Sequence, residues 1–365
     1  MRARRLRGLR RLGAGGVARE ILHRVWTRLP VRLLPGGWAP PVYSLAWWLT
    51  ERCNLACSMC WVHGERRTPM APEHWLRLAD QVRRWKPRIT FTGGEPSLYP
   101  QALELAEGVK ARGLYLSFNT NGLRLSEMAP ALVRIGVDDV SVSLDGMAGA
   151  HDTVRGRPGS WARAVEGLRA LLGARGGRGW PIVRVTTVLA AGTVEDLEPL
   201  HRLVAELGVD CHTLQHRWFV APSLWQSHRQ QAERRLGIDS SDMLGLVWDD
   251  PAPIPGLRRL VDRLRGLGLG TRLELSPELR APEWDLYYLA PERALREACT
   301  SRWHRMTILP DGQATPCLGF VSGSVREEPF ARIWNGARMR RFRRDLVGNG
   351  IFPGCLRCCG LFSDR

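Results

Sequence analysis

A chain of 365 residues, 44% of them apolar, is long enough to bury a sizeable core and has the size of one large α/β domain plus a smaller unit. Its net charge of +17 is almost all arginine, since Lys86 and Lys110 are the only lysines. No apolar run approaches the roughly 18 residues of a membrane span, and the basic N-terminus lacks the apolar stretch of a secretory signal, so the expected location is cytoplasmic.

Residues 1–42 form a basic segment. Leu6, Leu9, Val17, Ile21, Leu22, Val25, Trp26 and Leu29 recur there at roughly helical spacing, which predicts an amphipathic helix. Such a helix packs on the chain's own core or lies on an anionic membrane surface. From 43 to 216, β-rich runs at 44–50, 88–92, 114–119, 140–144, 183–189 and 211–216 alternate with helical stretches at 73–84, 102–112, 129–135, 161–172 and 194–207. That alternation predicts βαβ units, a parallel sheet and an α/β partial (β/α)6 TIM-like barrel, with its site at the C-terminal ends of the strands. Residues 217–298 read as the last barrel elements and a substrate-side insertion, with a helix at 256–267 and a strand at 272–275. Trp218, Trp225, Trp248 and Trp284 in this stretch line a pocket or, more commonly for such spacing, fill core. Residues 299–365 form a small C-terminal unit: a hairpin at 305–309 and 313–318 around Asp311-Gly312, a basic helix over 331–347, and a cysteine-rich end.

Nine cysteines in a chain without an export signal argue for metal ligation over disulfides. Cys53, Cys57 and Cys60 sit on the loop after the first strand. Three close thiolates suit three irons of a cubane and leave the fourth iron open. A structural zinc site takes four ligands, usually in Cys-x-x-Cys pairs, and this loop offers three. The second group is Cys299, Cys317, Cys355, Cys358 and Cys359. Its spacing suits a four-thiolate cluster or a zinc ribbon.

Cys-x3-Cys-x2-Cys followed by the aromatic Trp61, then Gly93-Gly94-Glu95-Pro96 after the second strand, resembles the radical S-adenosylmethionine (SAM) superfamily. The resemblance covers about residues 43–216. It implies that Cys53, Cys57 and Cys60 are the catalytic [4Fe–4S] ligands. The open iron would chelate SAM, and reductive cleavage would release a 5′-deoxyadenosyl radical that takes hydrogen from the substrate. It also implies SAM contacts at Trp61, Gly93, Gly94, Glu95, Asn119, Ser143, Asp145 and Arg155, and an electron donor such as flavodoxin or ferredoxin. The segment Asp311–Cys317, the helix around Trp334 and the terminal Cys-x-x-Cys are similar to SPASM and twitch extensions. They imply one auxiliary [4Fe–4S] cluster on Cys299, Cys317, Cys355 and Cys358, with Cys359 able to replace Cys358.

Three functions follow as expectations. The first is oxidation, in preference to epimerisation, of a small molecule such as a sugar, an aminoglycoside-like compound or a lipid headgroup. The second is maturation of a ribosomal peptide by crosslinking or side-chain oxidation. Maturases often carry a sizeable leader-binding domain and the segment ahead of the barrel is short for one, which favours the small molecule. The third, a zinc- and arginine-rich nucleic-acid-binding protein, leaves the Gly-Gly-Glu-Pro turn unexplained, so no nucleic acid is expected. Cys211, near the start of its strand, is expected to be structural, with Gln215 and His216 at the mouth contacting substrate.

Overall fold

In the computed structural model, residues 34–62, 64–248, 256–317 and 319–362 are described. The expected N-terminal amphipathic helix therefore falls outside the described residues. Seven parallel strands run in chain order across one sheet: β1 (Ser44–Thr50), β2 (Arg88–Gly93), β3 (Tyr115–Thr120), β4 (Asp139–Ser143), β5 (Ile182–Leu189), β6 (Cys211–His216) and β7 (Arg272–Ser276). Helices α1 (Pro72–Val82), α2 (Ala102–Ala111), α3 (Leu125–Ile135), α4 (Ala148–Arg155), α5 (Ser160–Arg175), α6 (Leu197–Glu206), α7 (Pro222–Leu236), α8 (Leu257–Gly266) and α9 (Glu283–Leu289) lie between and after them. This is the expected partial TIM-like barrel, with β7 as the one further strand.

Period-two alternation sorts the strand side chains onto two faces. Leu45, Trp47 and Leu49 of β1, Ile89 and Phe91 of β2, and Leu116 and Phe118 of β3 all point to the helix side and are buried there. Helix α1 answers with Trp75, Leu78, Ala79 and Val82, spaced at i, i+3, i+4 and i+7. Trp47 packs against Trp75 and Phe91, with ring centroids 4.9 and 5.8 Å away. Truncating so large a buried ring typically costs about 3–5 kcal/mol. The opposite, concave face carries the residues between these, and it is mostly polar.

The C-terminal unit does not stand apart from the barrel. Strand β8 (Arg305–Ile308) pairs in parallel with β1, Ser44 opposite Arg305 and Trp47 opposite Ile308. The expected hairpin turns at Gly312, whose φ of +92° suits glycine, into β9 (Gln313–Thr315), and β10 (Gly323–Ser324) completes the sheet. The single basic helix expected over 331–347 is two, α10 (Phe330–Asn335) and α11 (Ala337–Asn349). At Gly336 between them a Cβ would stand 2.2 Å from the Arg332 carbonyl oxygen. Among the described residues no helix is long and apolar enough to cross a membrane.

Candidate active site

The three-cysteine loop leaves the C-terminal end of β1 and is held from two sides. The Gly93-Gly94 turn after β2 lies directly beneath it: Gly94 N–H donates to Thr50 O at 2.8 Å and Glu95 N–H to Arg52 O at 2.7 Å. A Cβ on Gly94 would meet Arg52 O at 2.2 Å and Glu51 O at 2.5 Å, and Gly93 has φ +122°. Glycine at both positions is what lets this turn approach the loop. From the other side, Ser58 N–H donates to Val154 O at 2.9 Å and Arg157 Nη1 to Asn54 O at 3.0 Å. Gly156 there leaves no room for a Cβ, which would stand 2.6 Å from Ala56 O.

Glu95 is buried, and both carboxylate oxygens are engaged internally. Oε1 accepts from Ser97 N–H at 3.2 Å and Thr120 Oγ1 at 2.8 Å, and Oε2 accepts from Asn121 N–H at 2.7 Å. Desolvation raises its pKa, against which these donors act. In this arrangement Glu95 ties the β2 turn to the end of β3. Asn121, missed by the sequence reading, is its counterpart: Nδ2 donates to Asn54 Oδ1 at 2.7 Å and lies 3.9 Å from Cys53 Sγ. The Asn-Thr-Asn run held that signal, but the resemblance to SAM-contacting strand ends selected Asn119.

Arg155 ends α4 buried against the cysteine loop. Its guanidinium is ion-paired with Asp145, which is fully buried, and Nη1 lies 3.7 Å from Cys57 Sγ. Asp145 Oδ1 also accepts from Val188 N–H at 2.7 Å, and Asp145 N–H donates to His151 Nδ1 at 3.0 Å. The structure thus brings Arg155 to the loop and places Asp145 behind it as its counter-charge. Asn119 and Ser143 face the concave side by register. Trp61 packs on Trp48, the mouth residue of β1 on that side, at 5.3 Å, and on Trp218 at 6.0 Å. A cavity of about 250 Å³ between loop and hairpin is lined by Trp48, Trp61, Arg67, Asp242 and Thr315 among others.

Gln215 faces the concave side, opposite Val188 and Ser276. His216, expected beside it as a substrate contact, points the other way because neighbours on a strand alternate. It is fully buried among Trp284, Tyr287 and Tyr288, with Nδ1 2.6 Å from Tyr288 Oη. Desolvation pulls its pKa down to about 3, so it is neutral and structural. Trp284 is likewise core. Cys211 is buried at the far, N-terminal end of the concave face, 2.9 Å from Arg184 Nη1, and burial pushes its thiol up to about 11.

The second cysteine group gathers at the base. Arg302 lies among Cys299, Cys317 and Cys358, and Cys355 neighbours both Cys317 and Cys299. Cys358 and Cys359 are hydrogen-bonded to each other and both neighbour Arg302, with Cys355 beside Cys358 and Arg305 beside Cys359. Burial pushes the Cys317 thiol up to about 11. The turn that carries the terminal pair is anchored by a residue the sequence reading passed over. Arg357, buried between the cysteines, donates to the carbonyl oxygens of Leu286, Tyr287 and Ala290 at the C-terminal end of α9, where Leu286 O also accepts from Ala290 N–H.

Both thiol groups suit clusters. All nine cysteines are free, and eight of them fall into the two groups. The base thiols are deep in protein yet still touch open space, which is where a cubane would sit. Cys53, Cys57 and Cys60 would hold the first cluster, and Cys299, Cys317, Cys355 and Cys358 the second. Loaded, the first would supply a SAM-derived carbon radical at the mouth, and the second, with four protein ligands, would be suited to one-electron transfer or structure. The protein's part is to clamp the loop, bring Arg155 to Cys57, and present a polar concave face to the substrate.

A partial parallel barrel with a clamped three-thiol loop at its mouth and a thiol nest at its base defines an iron–sulfur radical enzyme. Residues 49–207 match the Radical SAM superfamily, and residues 299–359 match SPASM, an iron–sulfur cluster-binding domain. The chain belongs to the radical SAM superfamily and carries a C-terminal SPASM-type extension, and with them the [4Fe–4S] and SAM cofactors. It is similar to the AdoMet-dependent heme synthase of Methanosarcina barkeri, 26% identical over 318 residues, which cover 82% of this chain and 84% of that one. It is also similar to the mycofactocin maturase MftC of Mycobacterium tuberculosis, 32% identical over 169 residues, 45% of this chain and 42% of that one. Among solved structures, SuiB of Streptococcus suis bound to precursor peptide SuiA shares the fold, with TM-score 0.64, 15% identity, and coverage of 91% of this chain and 72% of that one.

Proposed function

We propose that this radical SAM enzyme is a maturase that oxidises or crosslinks a side chain of a peptide precursor. The observation that carries the peptide is the 32% identity with a maturase, MftC. The SuiB fold, solved with a precursor peptide, agrees with it. A sugar, aminoglycoside-like compound or lipid headgroup, the first expectation from sequence, has less support from these relatives. Net oxidation is favoured over epimerisation by Cys211. An epimerase needs a hydrogen donor close to the reacting carbon, and this thiol is buried at the opposite end of the strand from the cysteine loop. A flavodoxin or ferredoxin would supply the electrons, and contact of the basic N-terminal segment with a membrane surface stays part of this proposal.

A second reading, modification of a non-peptide cofactor, rests on the near full-length similarity to the heme synthase. One experiment separates the two. Reconstituted enzyme, SAM and reductant are incubated with the product of a short open reading frame beside the gene. Loss of one hydrogen molecule's mass from that peptide is the expected result. An unmodified peptide, with 5′-deoxyadenosine still formed, would shift the reading to a cofactor.

A further inference from the structure

The concave face has an unusual floor. Register places Arg305 of β8 beside Ser44 and Arg88 at the N-terminal ends of the strands, with Arg184 and Arg272 further round on the same face. Against these four guanidiniums the strands turn two carboxylates inward, Asp139 and Glu274. Both carboxylates are already engaged. Arg184 Nη1 is 2.6 Å from Glu274 and its Nη2 is 3.6 Å from Asp139, while Arg272 Nε is 2.6 Å from Glu274. Arg88 stacks over the Tyr115 ring at 4.1 Å and reaches Tyr43 Oη at 3.3 Å.

Arg305 is different. Among the described residues no hydrogen bond or ion pair to its side chain is found, and its charged or ionisable neighbours are Arg302, Arg88, Tyr43 and Cys359. Two of the four are cations. Protein mass surrounds it, yet its side chain is exposed to solvent. Its register with Ser44 puts it on the concave side at the floor, open to solvent there. A guanidinium held among other cations at such a position is stabilised by an anion that enters. Arg302 has its own partners in Ser301 and the base thiols. Arg305 has none.

We propose that Arg305 is an anion subsite for the substrate, taking a carboxylate or phosphate group at the floor while the reacting C–H bond lies at the mouth. Four strand residues separate the level of Ser44 from that of Trp48, so the two ends of the substrate are about 13 Å apart. This rests on the reading that substrate occupies the concave face, and it narrows the peptide to one with an acidic side chain, a C-terminal carboxylate or a phosphate at that spacing.

The test is titration calorimetry on anaerobically reconstituted full-length protein, with glutarate and with inorganic phosphate as probes. Wild type, Arg305→Gln, Arg305→Lys and the surface control Arg178→Gln are compared, each with its iron counted. The expected result is an affinity lower by about tenfold or more in Arg305→Gln, partly kept in Arg305→Lys and unchanged in Arg178→Gln, with about eight irons throughout. The better-bound probe says whether the group is a carboxylate or a phosphate. Wild-type affinity for both probes in Arg305→Gln overturns the proposal. So does loss of about four irons from that variant, which would make Arg305 a support of the base nest. Neither SAM cleavage nor product formation is read, so failure of the maturase reading is separately visible.

Discussion

The two cysteine groups solve opposite problems. At the mouth, the thiols sit on a loop with little apolar cover, and backbone contacts from the Gly93-Gly94 turn and the end of α4 fix its shape. At the base, thiols from three separated segments are drawn together around the half-buried Arg302 and the buried Arg357. A cluster that must exchange SAM each turnover needs access, and a cluster with four protein ligands does not. Backbone clamps suit the first because they hold position without covering the metal. Side-chain anchors suit the second because nothing has to enter.

The sharpest way to break this comparison is to remove the mouth thiols. Cys53, Cys57 and Cys60 changed together to Ala should abolish 5′-deoxyadenosine formation while about four of about eight irons remain at the base. SAM cleavage surviving in that variant ends the assignment. Next in size, Gly94→Ala pushes a methyl group into the Arg52 and Glu51 carbonyl oxygens. SAM cleavage should fall about 100-fold, as it does when a site is displaced by an ångström, and iron at the base should be unchanged. Wild-type activity would show that the clamp is not what fixes the loop.

Asp145→Asn leaves the Arg155 charge buried without its partner. Stability should drop by about 3–5 kcal/mol, read from denaturant midpoints, with mouth iron lost before base iron. His216 sharpens the contrast from the structural side. Its folded pKa of about 3 lies below the unfolded 6.5. Its neutral form therefore contributes fully above pH 6.5, and that contribution is lost as pH falls from there toward 3. Between pH 7.5 and 5.5 wild type should lose about 1.4 kcal/mol more than His216→Phe. Equal losses would mean the ring protonates in place. The smallest effect is expected at Cys211. Cys211→Ala should turn over within about twofold of wild type, because the buried thiol lies at the opposite end of the strand from the cysteine loop. Product lost while 5′-deoxyadenosine still forms, with solvent deuterium entering the wild-type product, would make this thiol a hydrogen donor and the enzyme an epimerase.

The mouth was legible in the sequence because its parts are local. The cysteine spacing, the glycine pair and the strand-end polar residues each lie within a few positions of one another. Pairing His216 with Gln215 overlooked the alternation of adjacent strand residues, and other misses were long-range relations. Helix α3 begins at Leu125, earlier than expected, because Pro130 inside it reads as a start signal. The union of β8 with β1 joins residues more than 250 positions apart, and no periodicity encodes it. Arginine was hardest to interpret. Arg343 and Arg357 are buried hydrogen-bond hubs, so part of the charge that suggested a surface partner is internal scaffolding.

That β1–β8 pairing also orders events on the ribosome. The strand that carries the radical loop is made early, but one of its edges has no partner until Arg305–Ile308 emerge about 255 residues later. At about 5–20 residues per second that is roughly 13–50 s of synthesis with an open edge. Synthesis must pass Ile308 before the barrel's first strand is paired on both sides. Iron delivered to the mouth in the meantime meets a half-built support, so stable loading there is expected to follow the pairing of β8 with β1.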